Sequence, residues 1–167
     1  PFPTLLVDAV AVTPDPSTPV TAVSCPGLWV PGNTLSQHKT VAYLPNRIAL
    51  HAAAERGADT ALLVDADGNL GEGATANVFC VVDGVILTPP VRGLLPGTTR
   101  AAVLRLTTAT ERDLPPSVWR HCDEMFLTSA VQHVVGVASV DGVPVGDGTV
   151  GPLTRSVQRA IDEAFHR

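Results

Sequence analysis

Of the chain's 11 lysines and arginines, only Lys39 is a lysine. An arginine cannot replace it in covalent chemistry, because a guanidinium keeps its proton near neutral pH. A lysine amine that sheds its proton attacks carbonyl carbon. Genome composition offers a second account, since Ala-, Val-, Gly- and Arg-rich chains exchange lysine for arginine wherever only a solvated cation is needed. Glu72 stands between two glycines, Gly71 and Gly73. That setting suits a strand end or bulge whose backbone comes close to a ligand, and it also suits an ordinary surface charge beside a turn. Gly97-Thr98-Thr99 opens a helical stretch. Unpaired main-chain N–H groups there, with threonine hydroxyls beside them, favour a dianion; simple N-capping by Thr98 is the plainer alternative. Tyr43, the only tyrosine, follows Lys39 by four residues and reads as a hydrogen-bonding phenol or as a core aromatic.

The elements that would position these groups are legible from pattern. Leu5–Val12 reads as a strand, Thr13–Ser17 as a Pro-broken loop, and Thr21–Ser24 as a second strand before an irregular run to Asn33. Leu44, Ile48, Ala52 and Ala53 repeat at helical spacing up to Gly57, a stop signal. Pro45 is tolerated only in the first turn of that helix, which leaves Lys39 just outside it. Ala61–Val64 is a strand, 65–69 a turn, and Leu70 begins the next strand. Val78–Val82 and Val85–Thr88 flank Asp83-Gly84, a strong hairpin signal. A helix runs from Thr98 to about Thr107, a strand over Glu124–Thr128, and a hairpin over Val134–Val140 with Asp141-Gly142. The last helix, Pro152–Phe165, places Leu153, Val157, Ala160 and Ile161 on one face. The sum is an α+β domain with a mostly antiparallel sheet.

Three segments gain meaning from their order: His38-Lys39-Thr40-Val41-Ala42-Tyr43-Leu44, then Gly71-Glu72-Gly73-Ala74-Thr75-Ala76-Asn77-Val78-Phe79, then Leu95-Pro96-Gly97-Thr98-Thr99-Arg100. In wording and sequence order they resemble the class-IV (fold-type IV) enzymes that use pyridoxal 5′-phosphate (PLP). These include branched-chain aminotransferases, D-amino acid aminotransferases and aminodeoxychorismate lyases. The match runs from about Leu35 to Arg100, weakens through Glu124–Gly146, and returns at Gly151-Pro152-Leu153-Thr154.

The resemblance implies a fold and a set of roles. The fold is the C-terminal, cofactor-binding domain of such an enzyme, a barrel-like, mostly antiparallel core with flanking helices, spanning 1–167. The α/β domain that precedes it in the family has no counterpart in this chain. Lys39 is implied as the Schiff-base lysine and proton carrier, its amine made neutral by desolvation. Glu72 would face the pyridine nitrogen and keep it protonated. Gly97, Thr98 and Thr99 would bind the phosphate, and Tyr43 the cofactor's phenolic oxygen. Ala130 stands where many aminotransferases carry a threonine that adds a phosphate hydrogen bond; only the Ala130 and Val131 amides remain to serve. Aminodeoxychorismate lyases resemble this alanine variant. Ala42 also replaces an asparagine common before the tyrosine. The implied activity is amino transfer between an amino acid and a 2-oxo acid. Lyase chemistry giving 4-aminobenzoate and pyruvate is the near alternative, and a non-catalytic scaffold or dimerisation domain the distant one. Family members usually form dimers.

Composition narrows the other possibilities. The formal net charge is -5 and there is no basic cluster, which argues against a nucleic-acid partner. The most apolar window, Leu127–Val140, contains Thr128, Gln132 and His133, too polar to cross a bilayer. The start of the chain shows no basic segment leading into an apolar one, and Cys25, Cys80 and Cys122 are odd in number and widely spaced. A reducing, cytoplasmic setting with no disulfide framework is the expectation. The histidines, 38, 51, 121, 133 and 166, lack metal-ligand spacing. Asp65 and Asp67 read as turn residues, and Arg47 and Arg100 as structural or surface cations.

Overall fold

Strand Val20–Pro26 (β1) lies at the middle of the sheet in the computed structural model, which describes residues 7–9, 11 and 15–165. The remaining elements in chain order are α1 (Leu44–Glu55), β2 (Thr60–Val64), β3 (Leu70–Gly73), β4 (Asn77–Val82), β5 (Val85–Thr88) and α2 (Thr98–Leu106). They are followed by β6 (Thr110–Glu111), α3 (Pro116–Trp119), β7 (Glu124–Ser129), β8 (His133–Val140), β9 (Val143–Pro144) and α4 (Pro152–Phe165). The sheet order is β3-β2-β1-β8-β7-β4-β5-β6, with β9 on β8. Five of the pairings are antiparallel; β1 runs parallel to both β2 and β8, and β5 parallel to β6. The sheet curls until its edge meets itself. Gly73 N–H donates to Ala76 O at 2.7 Å in the β3–β4 turn, and Leu70 N–H donates to Leu114 O at 2.9 Å.

Side-chain alternation divides the apolar residues between the inside of the curl and its outer face. Leu62, Val64, Val78, Cys80, Met125 and Leu127 point inward and pack with Leu70, Leu114 and Trp119. Their neighbours point outward under the helices. Val23, Cys25, Ala61 and Leu63 meet Ala49 and Ala53 of α1. Phe79, Val81, Phe126 and Val134 meet Ala102 and Val103 of α2, with Val157 and Ile161 of α4. Phe79 and Phe126 stack at 4.8 Å. A strand covered on both faces needs an apolar run rather than strict alternation, as β2 has. Each large side chain buried this way contributes about 1.5–3 kcal/mol.

The expected elements from β1 to α4 are present, with most bounds moved by a residue or two. Positive φ at Asp83 and Gly84, and at Asp141 and Gly142, makes the two hairpin turns, and Gly57 ends α1 at φ 68°. The strand expected over Leu5–Val12 falls largely outside the described residues; Val7–Ala9 and Ala11 have no regular structure. The buried face of α1 differs from the expected one. Ala49 and Ala53 go under, while Leu44 is 69% and Ile48 48% exposed. Small residues let the helix lie close on β1 and β2. Nothing local in the sequence announced β6, α3, the 3-10 turn at Thr34–Gln37 or the parallel pairings of β1. Cys25, Cys80 and Cys122 are all buried free thiols. Among the described residues no helix is long and apolar enough to cross a membrane.

Candidate functional site

Glu72 reaches the site because β3 is irregular at this point. Leu63 pairs with Glu72, but Val64 pairs with Leu70, so Gly71 is the extra residue of a bulge. The Trp29 indole occupies the space a Gly71 side chain would need, and its Nε1–H donates to Gly93 O at 2.9 Å. The close approach expected at Gly71 is therefore made by an aromatic ring of the protein itself. Glu72's carboxylate accepts from Asn77 Nδ2 at 3.3 Å and from the Leu95 backbone N–H. Burial pushes it from an ordinary value near 4.5 up to about 8, against the opposing pull of the Leu95 N–H and the Lys39 ammonium. Asn77, 6% exposed, also donates to Leu95 O at 2.9 Å, joining β4 to the loop before α2.

Lys39 lies between the 3-10 turn and α1 and is exposed. The desolvated amine expected from sequence is not what this chain shows. Its charge nonetheless reaches Glu72, which puts both groups in one neighbourhood. Tyr43 is half-buried immediately before α1. Its hydroxyl donates to Ala74 O at 2.9 Å, and Asn46 Nδ2 donates to the same oxygen at 2.8 Å. Burial first, and the Glu72 charge second, raise the phenol above its ordinary pKa.

The start of α2 forms the third wall. Gly97 is its N-cap, with φ −65° and ψ 142° and no side-chain cap hydrogen bond. The N-cap role weighed for Thr98 is therefore not realised; Thr98 is the exposed first residue of the helix. Asn77 Oδ1 fills the volume that a Gly97 Cβ would take, so only glycine lets the helix start this close to β4. Thr99, 1% exposed, spends its hydroxyl proton on Ser129 O at 2.9 Å. That bond ties the β7–β8 turn, with exposed Ala130, to the helix start. The first-turn N–H groups have no acceptor within the helix. Arg100 is buried and donates to Pro89 O at 2.7 Å and to Glu111 Oε1 at 2.6 Å, the structural role expected of it.

Asn77 thus links Glu72 to the start of α2, while Ala74 links Tyr43 to the turn beyond Glu72. Sequence reasoning assigned no role to Asn77, Asn46 or the Leu95 amide. An asparagine at the head of an apolar strand was the available signal for Asn77.

Residues 2–140 match the model of the family described as Amino-transferase class IV. The chain belongs to this family. Among class-IV relatives, the branched-chain-amino-acid aminotransferase of Pseudomonas aeruginosa is 36% identical over 124 residues, which is 71% of this chain and 40% of that protein. The branched-chain amino acid aminotransferase of Thermobaculum terrenum, solved in its PLP form, superimposes with a TM-score of 0.81 at 27% identity, covering 89% of this chain and 51% of that one. A putative 4-amino-4-deoxychorismate lyase from Legionella pneumophila gives a TM-score of 0.84 at 28% identity, covering 92% and 59%. The chain spans about half the length of the class-IV proteins it matches, or less.

Proposed function

We propose that this chain is the cofactor-bearing part of a PLP-dependent class-IV aminotransferase, moving an amino group between an amino acid and a 2-oxo acid. The observation that carries the reading is the buried Glu72 carboxyl, held by Asn77 and Leu95 beside Lys39 and next to the uncapped start of α2. The donor set suits the cofactor's three polar ends. With the cofactor bound, the ring nitrogen would lie against the Glu72 carboxyl, whose ionised form would keep that nitrogen protonated while the cation offsets the burial that otherwise raises Glu72. The free N–H groups of the first turn of α2, with the Thr98 hydroxyl and the Ala130 amide beside them, suit a phosphate dianion. Tyr43 would serve the phenolic oxygen. PLP supplies an electron sink that weakens bonds at the Cα of an attached amino acid. Lys39 Nζ would hold the cofactor covalently and, once freed by substrate, would carry the proton at substrate Cα.

The test is covalent capture in the full-length protein. Added PLP turns the protein yellow, borohydride fixes it, and peptide mapping finds the added mass on Lys39; Lys39→Ala abolishes all three. A colourless protein with unmodified Lys39 after reduction sinks the reading. Ala130 favours a second reading, lyase chemistry on aminodeoxychorismate, because this position offers an amide and no hydroxyl of its own. Release of pyruvate with 4-aminobenzoate, against oxo-acid formation from an amino donor, separates the two.

A further inference from the structure

Ala74 is fully buried in the β3–β4 turn, and its N–H is already given to Ala61 O at 2.8 Å. Its carbonyl oxygen receives two side-chain donors, Tyr43 and Asn46, at 2.9 and 2.8 Å. A buried carbonyl escapes the penalty of an orphaned acceptor with one donor; the second adds less. The two donors are unequal. Asn46 has two N–H bonds to give, whereas Tyr43 has a single proton and, on the reading proposed above, another use for it. We propose that Asn46 is a positioning residue: by keeping the Ala74 carbonyl bonded, it frees the Tyr43 proton for the phenolic oxygen of the cofactor. The inference rests on that reading of Tyr43.

With Asn46 in place, turning the phenol O–H away from Ala74 leaves the carbonyl satisfied. Without it, the same turn strands a buried oxygen, and the proton stays on the protein. Glu72 acts on the phenol through its charge, while the Tyr43 hydroxyl proton is directed to Ala74 O. The Lys39 charge in turn acts on Glu72.

The first measurement needs no cofactor. Tyrosines of the full-length protein are labelled with ring 13C, and the Tyr43 signal is the one lost in Tyr43→Phe. Asn46→Leu keeps the side-chain shape and removes both donors. The phenol in this variant is expected to ionise about 0.5–1 pH unit higher than in wild type, since ionisation now strips Ala74 of its last donor. An unchanged or lowered titration overturns the proposal. The second measurement is the PLP dissociation constant in a double-mutant cycle. Asn46→Leu is expected to weaken binding about five- to ten-fold when Tyr43 is present and less than about two-fold in the Tyr43→Phe background. Equal losses in both backgrounds mean that Asn46 only anchors α1, which also overturns the proposal. Asn46→Ala serves both measurements if the leucine variant does not fold. A wild-type protein that binds no PLP defeats the proposed function, while the phenol titration still decides whether Asn46 and Tyr43 are coupled.

Discussion

Helices α2 and α4 each follow a glycine pressed against a side chain from the sheet: Gly97 against Asn77, and Gly151 against Glu124. At α4 the sheet offers a carboxylate. Glu124, 9% exposed, accepts from Leu153 N at 3.0 Å and from the Thr154 amide and hydroxyl at 2.7 Å each. The positive end of α4 is thereby closed by the protein's own anion. At α2 the sheet offers a neutral amide, and Asn77 turns its donors to Glu72 and Leu95 O. The start of α2 keeps its charge unanswered. The nearby carboxyl, Glu72, is held by Asn77 rather than capping the helix, and burial keeps it near pKa 8. One arrangement makes a joint; the other keeps an uncapped helix start apart from a buried carboxyl.

Breaking the joint should do the most damage. Glu124→Ala leaves the first turn of α4 and the Thr154 hydroxyl without an acceptor inside the protein, and chemical denaturation is expected to show a loss of about 3 kcal/mol. Glu72 should behave in the opposite way. Its carboxyl ionises near pH 4.5 when unfolded and near 8 when folded, so between those values the folded form holds the extra proton. Cofactor-free wild-type protein should lose stability as pH rises through that window and level off above it. Glu72→Gln removes the slope, and at pH 9 thermal melting should find it more stable than wild type by on the order of 2 kcal/mol, discounted because the carboxyl is not fully buried. A wild-type curve with no slope between pH 5 and 8 would refute the stored proton.

The threonines sharpen the contrast at smaller scale. Thr99→Val removes the bond to Ser129 O and should cost about 1 kcal/mol in denaturation. Thr98→Ala touches an exposed residue that caps nothing and should shift stability by less than about 0.5 kcal/mol. The same change should weaken PLP binding about ten-fold by losing one charge-assisted hydrogen bond to the phosphate. If Thr98→Ala destabilises the fold more than Thr99→Val, the assignment of one hydroxyl to the ligand and the other to the scaffold is reversed.

Local signals carried much of this organisation. Asp83-Gly84 and Asp141-Gly142 mark turns because backbones with positive φ need such residues, and α4 was legible from its apolar spacing. The parallel pairing of β1 with β2 and β8 joins distant segments, so no short window contains it. Burial on α1 misled for a related reason. Leu44 and Ile48 look like core by type, but the depth of the groove over β1 and β2 selects Ala49 and Ala53. Motif order singled out Lys39, Tyr43, Glu72 and Gly97–Thr99 as candidates. The polar connectors between them were invisible, because an asparagine's partners depend on which loops come together in space. Glu124 escaped notice for the same reason, its donors lying about 30 residues away.

The contact between Leu70 and Leu114 gives β3 a second role. This strand carries Glu72, yet along its length it has only β2 as a full ladder partner, and beyond that a single bridge and a tight turn. It is the place where the rolled sheet can part without disturbing the stacked phenylalanines under α2 and α4. Local opening there would admit solvent to the Glu72 carboxyl, and the amide of Leu70 would exchange its hydrogen sooner than those of β4 or β7. A ligand clamped between Glu72 and the start of α2 would act as a rivet across that lap joint, slowing exchange along β3 while the far side of the barrel keeps its own pace.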